Sequence, residues 1–277
     1  MLRNGLYIIA TPIGNLSDIS SRALEILRQA DTIACEDTRM ARKLFSLLGL
    51  PLNKNFIRYE DHTESQKADS VIDLIEQNHV VALISDAGSP LISDPGYKLV
   101  RRCREKNVYL TAIPGACAVI TALQISGLPT NRFMFAGFIP NKDKARQDLF
   151  NELKTVNTTL VFYETAPRLL KTLAQAADIF SGREIAVARE LTKMYEEVAC
   201  GNFADVIAYF EQNEPRGEFV LMVAPPAEPL HSITDVREIL SQRLRETSLK
   251  TAVKEISAQY NLNKNEVYSL ALELKNE

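Results

Sequence analysis

The chain has 277 residues, 46% hydrophobic and 24% charged, with a formal net charge of −3. That mix excludes wholesale disorder and fits one large or two ordinary domains. A weakly acidic chain is also no general nucleic-acid coat, although a local basic surface is compatible with it.

No apolar run approaches the roughly 20 residues of a membrane span. The short run after Met1 ends in Thr-Pro without a signal-peptide core, so no secretory leader is expected. Four cysteines, Cys35, Cys103, Cys117 and Cys200, show no C-x-x-C pairing. Neither zinc nor a disulfide framework is expected, and a reducing cytoplasm is the expected setting.

Leu6–Ala10 is continuous, apolar and followed by turn residues, which predicts a buried strand. Arg22–Ala30 places Ala23, Leu24, Ile26, Leu27 and Ala30 on one helical face, with Ser17 or Asp18 as the expected cap. Thr32–Cys35 is a second strand, Thr38–Leu48 a helix stopped by Gly49, and Phe56–Tyr59 a third strand. A helix over Glu64–Glu76, a strand over Val80–Ile84, a helix over Tyr97–Lys106 and a strand over Val108–Ile113 follow. Strands apolar on both faces, alternating with helices, predict a parallel doubly wound sheet.

After Pro114-Gly115 a helix, Ala116–Ile125, ends at Gly127. Strands are then expected at Phe133–Gly137, Leu160–Tyr163, Ile185–Ala188, Glu197–Ala199 and Phe219–Ala224, with helices at Lys144–Leu153, Pro167–Phe180 and Phe203–Phe210. The short spacing of 185–188 and 197–199 implies an antiparallel pair, hence a mixed sheet. The stiff stretch Pro225-Pro226-Ala227-Glu228-Pro229 leads into three helices, Val236–Arg245, Lys250–Tyr260 and Lys264–Leu274, with Thr234, Ser248 and Asn263 as caps. The expected fold class is α/β. It comprises an N-terminal domain (1–114) with a parallel sheet, a second α/β domain (115–226) with a mixed sheet, and a linker with a three-helix tail (227–277).

Ligands of open parallel sheets sit outside the carboxyl ends of the strands, so the loops there carry the functional reading. The first, Ala10-Thr11-Pro12-Ile13-Gly14-Asn15-Leu16, is neither G-x-G-x-x-G nor a P-loop, which removes ordinary NAD and ATP readings. Glu36-Asp37-Thr38-Arg39 is either a helix cap with its arginine in solvent or a polar site wall. Ser85–Gly96 carries two Pro, two Gly and two Asp, too elaborate for a simple turn. It suits a zwitterionic ligand, or else is a surface Ω-loop. His62 is a site base or a solvated loop histidine. Arg168 and the stretch Arg189-Glu190-Leu191-Thr192-Lys193 line a cleft or mark surface strand ends. No side-chain set has metal spacing, so no metal is expected.

Taken together, YIIATPIGNL (7–16), EDTR (36–39), SDAGSPLISDPG (85–96), IPGACA (113–118) with SGLP (126–129), and FYETAPR (162–168) with ARELTK (188–193) resemble the tetrapyrrole methylase superfamily. The third segment, replacing a G-D-P type loop, resembles the branch of that family acting on ribosomal RNA. The resemblance implies two α/β domains holding S-adenosylmethionine between them, in a homodimer. Pro12, Ser85, Asp86, Ala87, Gly88, Pro114 and Cys117 would line its methionine and ribose side, and Tyr163, Leu191, Phe219 and Val220 would approach the adenine. The implied reaction is 2′-O-methylation of a cytidine ribose in the decoding region of small-subunit ribosomal RNA. Glu36, Asp37, Arg39 and Glu190 are the candidate catalytic or positioning residues, and His62, Arg168 and Lys193 the candidate RNA contacts. The alternatives are a methyltransferase for a tetrapyrrole-like small molecule and a module that binds the donor without transferring its methyl.

Overall fold

In the computed structural model, which describes residues 2–60, 64–226, 236–260 and 262–276, Met1–Pro226 forms one compact unit and Ala227–Glu277 another. The first unit opens with β1 (Gly5–Ile9), α1 (Ser21–Gln29), β2 (Thr32–Cys35), α2 (Thr38–Leu47) and β3 (Asn55–Arg58). It continues through α3 (Glu64–Glu76), β4 (Val80–Ile84), α4 (Tyr97–Glu105) and β5 (Leu110–Ile113). These five strands form a wholly parallel sheet in the order β3-β2-β4-β1-β5.

The continuous apolar runs are explained by burial on both faces. Leu6, Val81 and Leu83 pack against Val71, Ile72, Ile75 and Leu99 of α3 and α4. The alternate residues Tyr7, Ile9, Ala82 and Ile84 pack against Ile26, Leu27 and Phe45 of α1 and α2. Each buried Val, Leu, Ile or Phe side chain among them contributes about 1.5–3 kcal/mol.

α5 (Ala118–Ile125) leaves the first sheet and covers one face of the second. That sheet consists of β6 (Phe133–Phe138), β7 (Thr159–Thr165), β8 (Ile185–Arg189), β9 (Glu197–Gly201) and β10 (Glu218–Val223), in the order β6-β7-β10-β8-β9. β6 and β7 are parallel and the other pairs antiparallel, so the sheet is mixed as expected. Val119, Ala122 and Leu123 of α5 meet Val161, Ala186, Val220 and Met222 on one face. On the other, α6 (Asp143–Leu153), α7 (Leu169–Ile179) and α8 (Phe203–Gln212) enclose an aromatic core in which Phe150 lies edge-on to Phe162 at 5.8 Å.

The second unit contains α9 (Arg237–Glu246), α10 (Leu249–Gln259) and α11 (Lys264–Asn276) around Leu240, Val253, Ile256, Val267 and Leu270. Ser248 caps α10, and the Asn263 side chain accepts from the Asn265 N–H at 2.9 Å. Thr234 lies outside the described residues.

Some local readings change. Ser20, rather than Ser17 or Asp18, caps α1 by accepting from the Ala23 N–H at 3.1 Å, because residues 16–18 form a 3-10 turn capped by Asn15. α5 starts two residues later than expected, since Cys117 is extended (φ −146°) and acts as its N-cap. The segment from Ala166 to Arg168 is likewise a 3-10 turn leading into α7.

Candidate active site

β1 and β4 are neighbours, so the loops after them emerge side by side. Thr11 and Gly88 join across the gap: the Thr11 N–H donates to the Gly88 carbonyl at 2.8 Å, and the Gly88 N–H returns a bond to Thr11 at 3.0 Å. Below them Thr11 Oγ1 donates to the Ser85 carbonyl at 3.1 Å, and Ser85 Oγ donates to the Gly88 carbonyl at 3.1 Å. Gly88 has φ +80°, and a Cβ there would stand 3.2 Å from Ile13 Cγ2. Glycine therefore serves both the backbone conformation and the close approach.

These loops wall a cavity of about 440 Å³ whose opposite side comes from the second sheet. That volume lies within the range of small-molecule and cofactor pockets. Ile13, Ala87, Ala188, Leu191 and Val220 give it apolar surface. Among the described residues, five carboxylates, Glu36, Asp86, Asp94, Glu190 and Glu218, share the wall with two cations, Arg189 and Lys193. Both cations are ion-paired, Arg189 with Glu197 at 2.6 Å and Lys193 with Glu190 at 2.8 Å. The surplus of negative charge favours a cationic ligand with an apolar body.

Among the residues singled out from the sequence, the structure brings Glu36, Asp86, Ala87, Gly88, Cys117, Tyr163, Glu190, Leu191, Lys193, Phe219 and Val220 onto this wall. Pro12, Ser85, Asp37, Arg39, Pro114 and Arg168 are not on it. Ser85 is buried beneath the wall and holds its loop, while Pro114 is exposed. Asp37 and Arg39 form an ion pair at 2.7 Å beside Glu36, with the arginine side chain 89% exposed. Arg168 turns inward: it is paired with the fully buried Glu164, and its Nη1 donates to the Ile139 carbonyl at 3.1 Å. His62 lies outside the described residues.

The electrostatics separate two neighbouring acids. Arg39, chiefly through its side-chain hydrogen bond, holds the Asp37 carboxyl down at about 2. Burial is the main cause that raises the Asp86 carboxyl above its ordinary value; the Asp37 N–H opposes it and the Asp37 charge adds to it. That N–H donates to Asp86 at 3.3 Å, tying the two loops together. Burial also pushes the Tyr163 hydroxyl well above its usual range, between Phe135 at 4.9 Å and Phe138 at 5.2 Å.

Backbone strain concentrates at the same place. Leu91 and Ser93 in the β4 loop, and Glu190 and Thr192 after β8, all have φ between +51° and +71°. Such residues cost of order 1 kcal/mol or more each, and persist where their surroundings hold them.

Arg189, in the stretch read as a cleft lining or a strand end, is on the wall; the residues not assigned a role from the sequence are Ile13, Ser89, Ile92, Ser93, Asp94, Ala118, Phe138, Ala188, Gly217 and Glu218. Several lay inside segments already singled out. Gly217, at φ +80° just before β10, is signalled by the Pro-Arg-Gly sequence, whereas nothing local marks Phe138. Among the described residues, no group of His, Cys, Asp and Glu is placed to hold a metal ion, and no helix is long and apolar enough to cross a membrane.

A profile of the tetrapyrrole (corrin/porphyrin) methylases matches residues 5–207, the span that builds the first sheet, four of the five strands of the second and most of the cavity wall. The chain belongs to that family of methylases. A second profile, described as the RsmI C-terminal HTH domain, matches residues 231–275. The chain is 49% identical over 274 residues to the ribosomal RNA small subunit methyltransferase I of Erythrobacter litoralis, covering 99% of this chain and 96% of that protein. It is 42% identical to the protein of the same name from Vibrio cholerae, over 97% of this chain and 94% of the other. Among solved structures, the cobalt precorrin-4 methyltransferase of cobalamin biosynthesis shares the fold at a TM-score of 0.57 and 14% identity, covering 79% of this chain and 94% of that one. Methyltransferase CobJ does so at a TM-score of 0.60 and 16% identity, over 81% and 95%.

Proposed function

We infer that the chain is an S-adenosylmethionine-dependent RNA methyltransferase that modifies the 2′-oxygen of a cytidine ribose in the decoding region of small-subunit ribosomal RNA, acting in the cytoplasm as a homodimer. The observation that carries the donor assignment is the cavity itself, with five carboxylates against two cations around an apolar lining. It suits a ligand with an aromatic base at one end and positive charge at the other. The RNA assignment is supported by the relatives similar over nearly the whole chain and by the tail profile.

S-adenosylmethionine, when bound, supplies an electrophilic methyl group on a sulfonium. Leu191, Phe219, Val220 and Tyr163 are the residues to hold the adenine, and Ala87, Gly88, Cys117 and Asp86 the ribose and methionine side. Apolar walls exclude water, which strengthens the electrostatics of the site. A ribose 2′-hydroxyl is a weak nucleophile and needs orientation and an acceptor for its proton. Glu36 and Glu190 are the acceptors on the wall, and the Asp37–Arg39 pair beside Glu36 is suited to orient the RNA backbone. Lys193 is a further phosphate contact. Arg168, committed to Glu164, holds the second sheet instead.

The test is incubation of the chain with methyl-labelled donor and small ribosomal subunits from cells lacking its gene. The expected result is label recovered as 2′-O-methylcytidine. Label appearing only on an added porphyrinoid would overturn the reading in favour of a small-molecule enzyme, and donor binding without any transfer would reduce the chain to a binding module.

A further inference from the structure

The turn after β8 holds two large apolar side chains out in solvent beside the cavity. Met194 and Tyr195 are 87% and 75% exposed, more than any other large hydrophobic residue described. The turn is stiff. The Lys193 N–H donates to the Glu190 carbonyl at 3.0 Å, the Glu196 N–H to the Lys193 carbonyl at 3.2 Å, and the Thr192 N–H to the Glu196 carboxylate at 2.7 Å. Its base is wedged against the β1 loop, where a Cβ on Gly14 would stand 2.6 Å from Lys193 Cγ. The same turn carries the left-handed Glu190 and Thr192, and Thr192 Oγ1 is buried with no hydrogen-bond partner among the described residues. Strain, an orphaned hydroxyl and exposed apolar surface all count against stability, and their coincidence at a cavity rim marks a functional projection.

We propose that Tyr195 and Met194 form a stacking wedge for an unpaired nucleobase flanking the nucleotide whose ribose enters the cavity. The proposal rests on the reading of the chain as an RNA methyltransferase. A 2′-hydroxyl must be brought out of helical context to reach a recessed donor, and unstacked bases are held on aromatic faces. Lys193, on the cavity wall immediately before the pair, is held by Glu190 at 2.8 Å and would exchange that carboxylate for the intervening phosphate. Tyr195 and Met194 are specificity and positioning residues here; neither lines the cavity.

The chain contains no tryptophan, so Tyr195→Trp creates a single fluorescent reporter that preserves stacking. Its emission is expected to be quenched by unmodified small ribosomal subunits and unchanged by S-adenosylmethionine alone. Tyr195→Ala and Met194→Ala are each expected to raise the KM for subunits, by about 5- to 100-fold for the tyrosine. Donor affinity by calorimetry and native mass stay at their wild-type values, and Tyr195→Trp keeps the wild-type KM. A wild-type KM for Tyr195→Ala, a tryptophan quenched by the donor or left unquenched by subunits, or an altered native mass would overturn the wedge, the last by making the pair a contact between copies of the chain. Failure of the wild-type chain to methylate any subunit is a separate result and strikes the proposed function itself.

Discussion

Asp86 and Asp37 lie side by side yet are driven in opposite directions. Asp37 is held down at about 2 by Arg39 and remains charged at any working pH. Asp86 is raised, mainly by burial, so its native carboxyl keeps a proton to higher pH than the unfolded one. Between those two values the folded state binds more protons, and stability falls as pH rises. Asp86→Asn removes that liability. Asp86 is nevertheless solvent-exposed on the open cavity wall, so thermal melts of the ligand-free variant at pH 7 are expected to stay close to wild type, while donor binding by calorimetry weakens. The cysteines offer a second test. Burial pushes the Cys35 and Cys103 thiols to about 12 and 11, so they stay protonated and inert at pH 8. Cys200 is exposed and Cys117 half-buried on the cavity wall. Iodoacetamide labelling read by mass spectrometry is expected to modify Cys200 under all conditions and Cys117 only until the donor is added. Residue chemistry at this scale was partly legible. The acids after the strands stand out in the sequence, but nothing in EDTR or FYETAPR says that Arg39 faces solvent while Arg168 turns inward, since that depends on which neighbours the fold supplies.

The elements carry a different lesson. Runs such as Val80–Ile84 and Leu160–Phe162 are apolar at every position, and that alone tells of strands covered on both faces. The helix starts were less legible, because several hydroxyl or carboxyl residues compete for one cap: Ser17, Asp18 and Ser20 stand within four residues, and the 3-10 turn at 16–18 decides for Ser20. The β7–α7 connection depends on Glu164, which is fully buried. It takes a bond from the Thr172 hydroxyl at 2.6 Å and the Thr165 N–H at 2.7 Å, besides its pair with Arg168. Truncating it strands the guanidinium. Glu164→Ala is expected to lower the urea unfolding free energy by about 3–5 kcal/mol, and replacing both partners by methionine to restore much of that loss.

At the scale of the molecule, two sheets within Met1–Pro226 supply opposite walls of one cavity, joined through α5. The sequence announces both sheets, but not that Thr11 would pair with Gly88 or that Gly14 would touch Lys193, because contacts between residues 77 and 179 positions apart leave no local pattern. The tail has its own core and holds four Lys and three Arg against seven acids from His231 on. On the proposed RNA reading a tail of balanced charge would recognise the subunit by shape rather than by net charge, so a chain ending at Pro226 is expected to bind the donor as the full chain does and to lose methylation of subunits. Equal transfer rates for the two chains would make the tail a stability cap.

The cavity between the sheets as the seat of a sulfonium donor is the claim on which the rest stands. Isothermal titration of the folded chain with S-adenosylmethionine, and with its demethylated product, addresses it without reference to any RNA. One site per chain for each is predicted, with affinity at least tenfold weaker in Gly88→Ala, whose Cβ meets Ile13 and forces an unfavourable backbone at the cavity wall. Absence of binding heat, or an affinity indifferent to Gly88→Ala, would contradict the account.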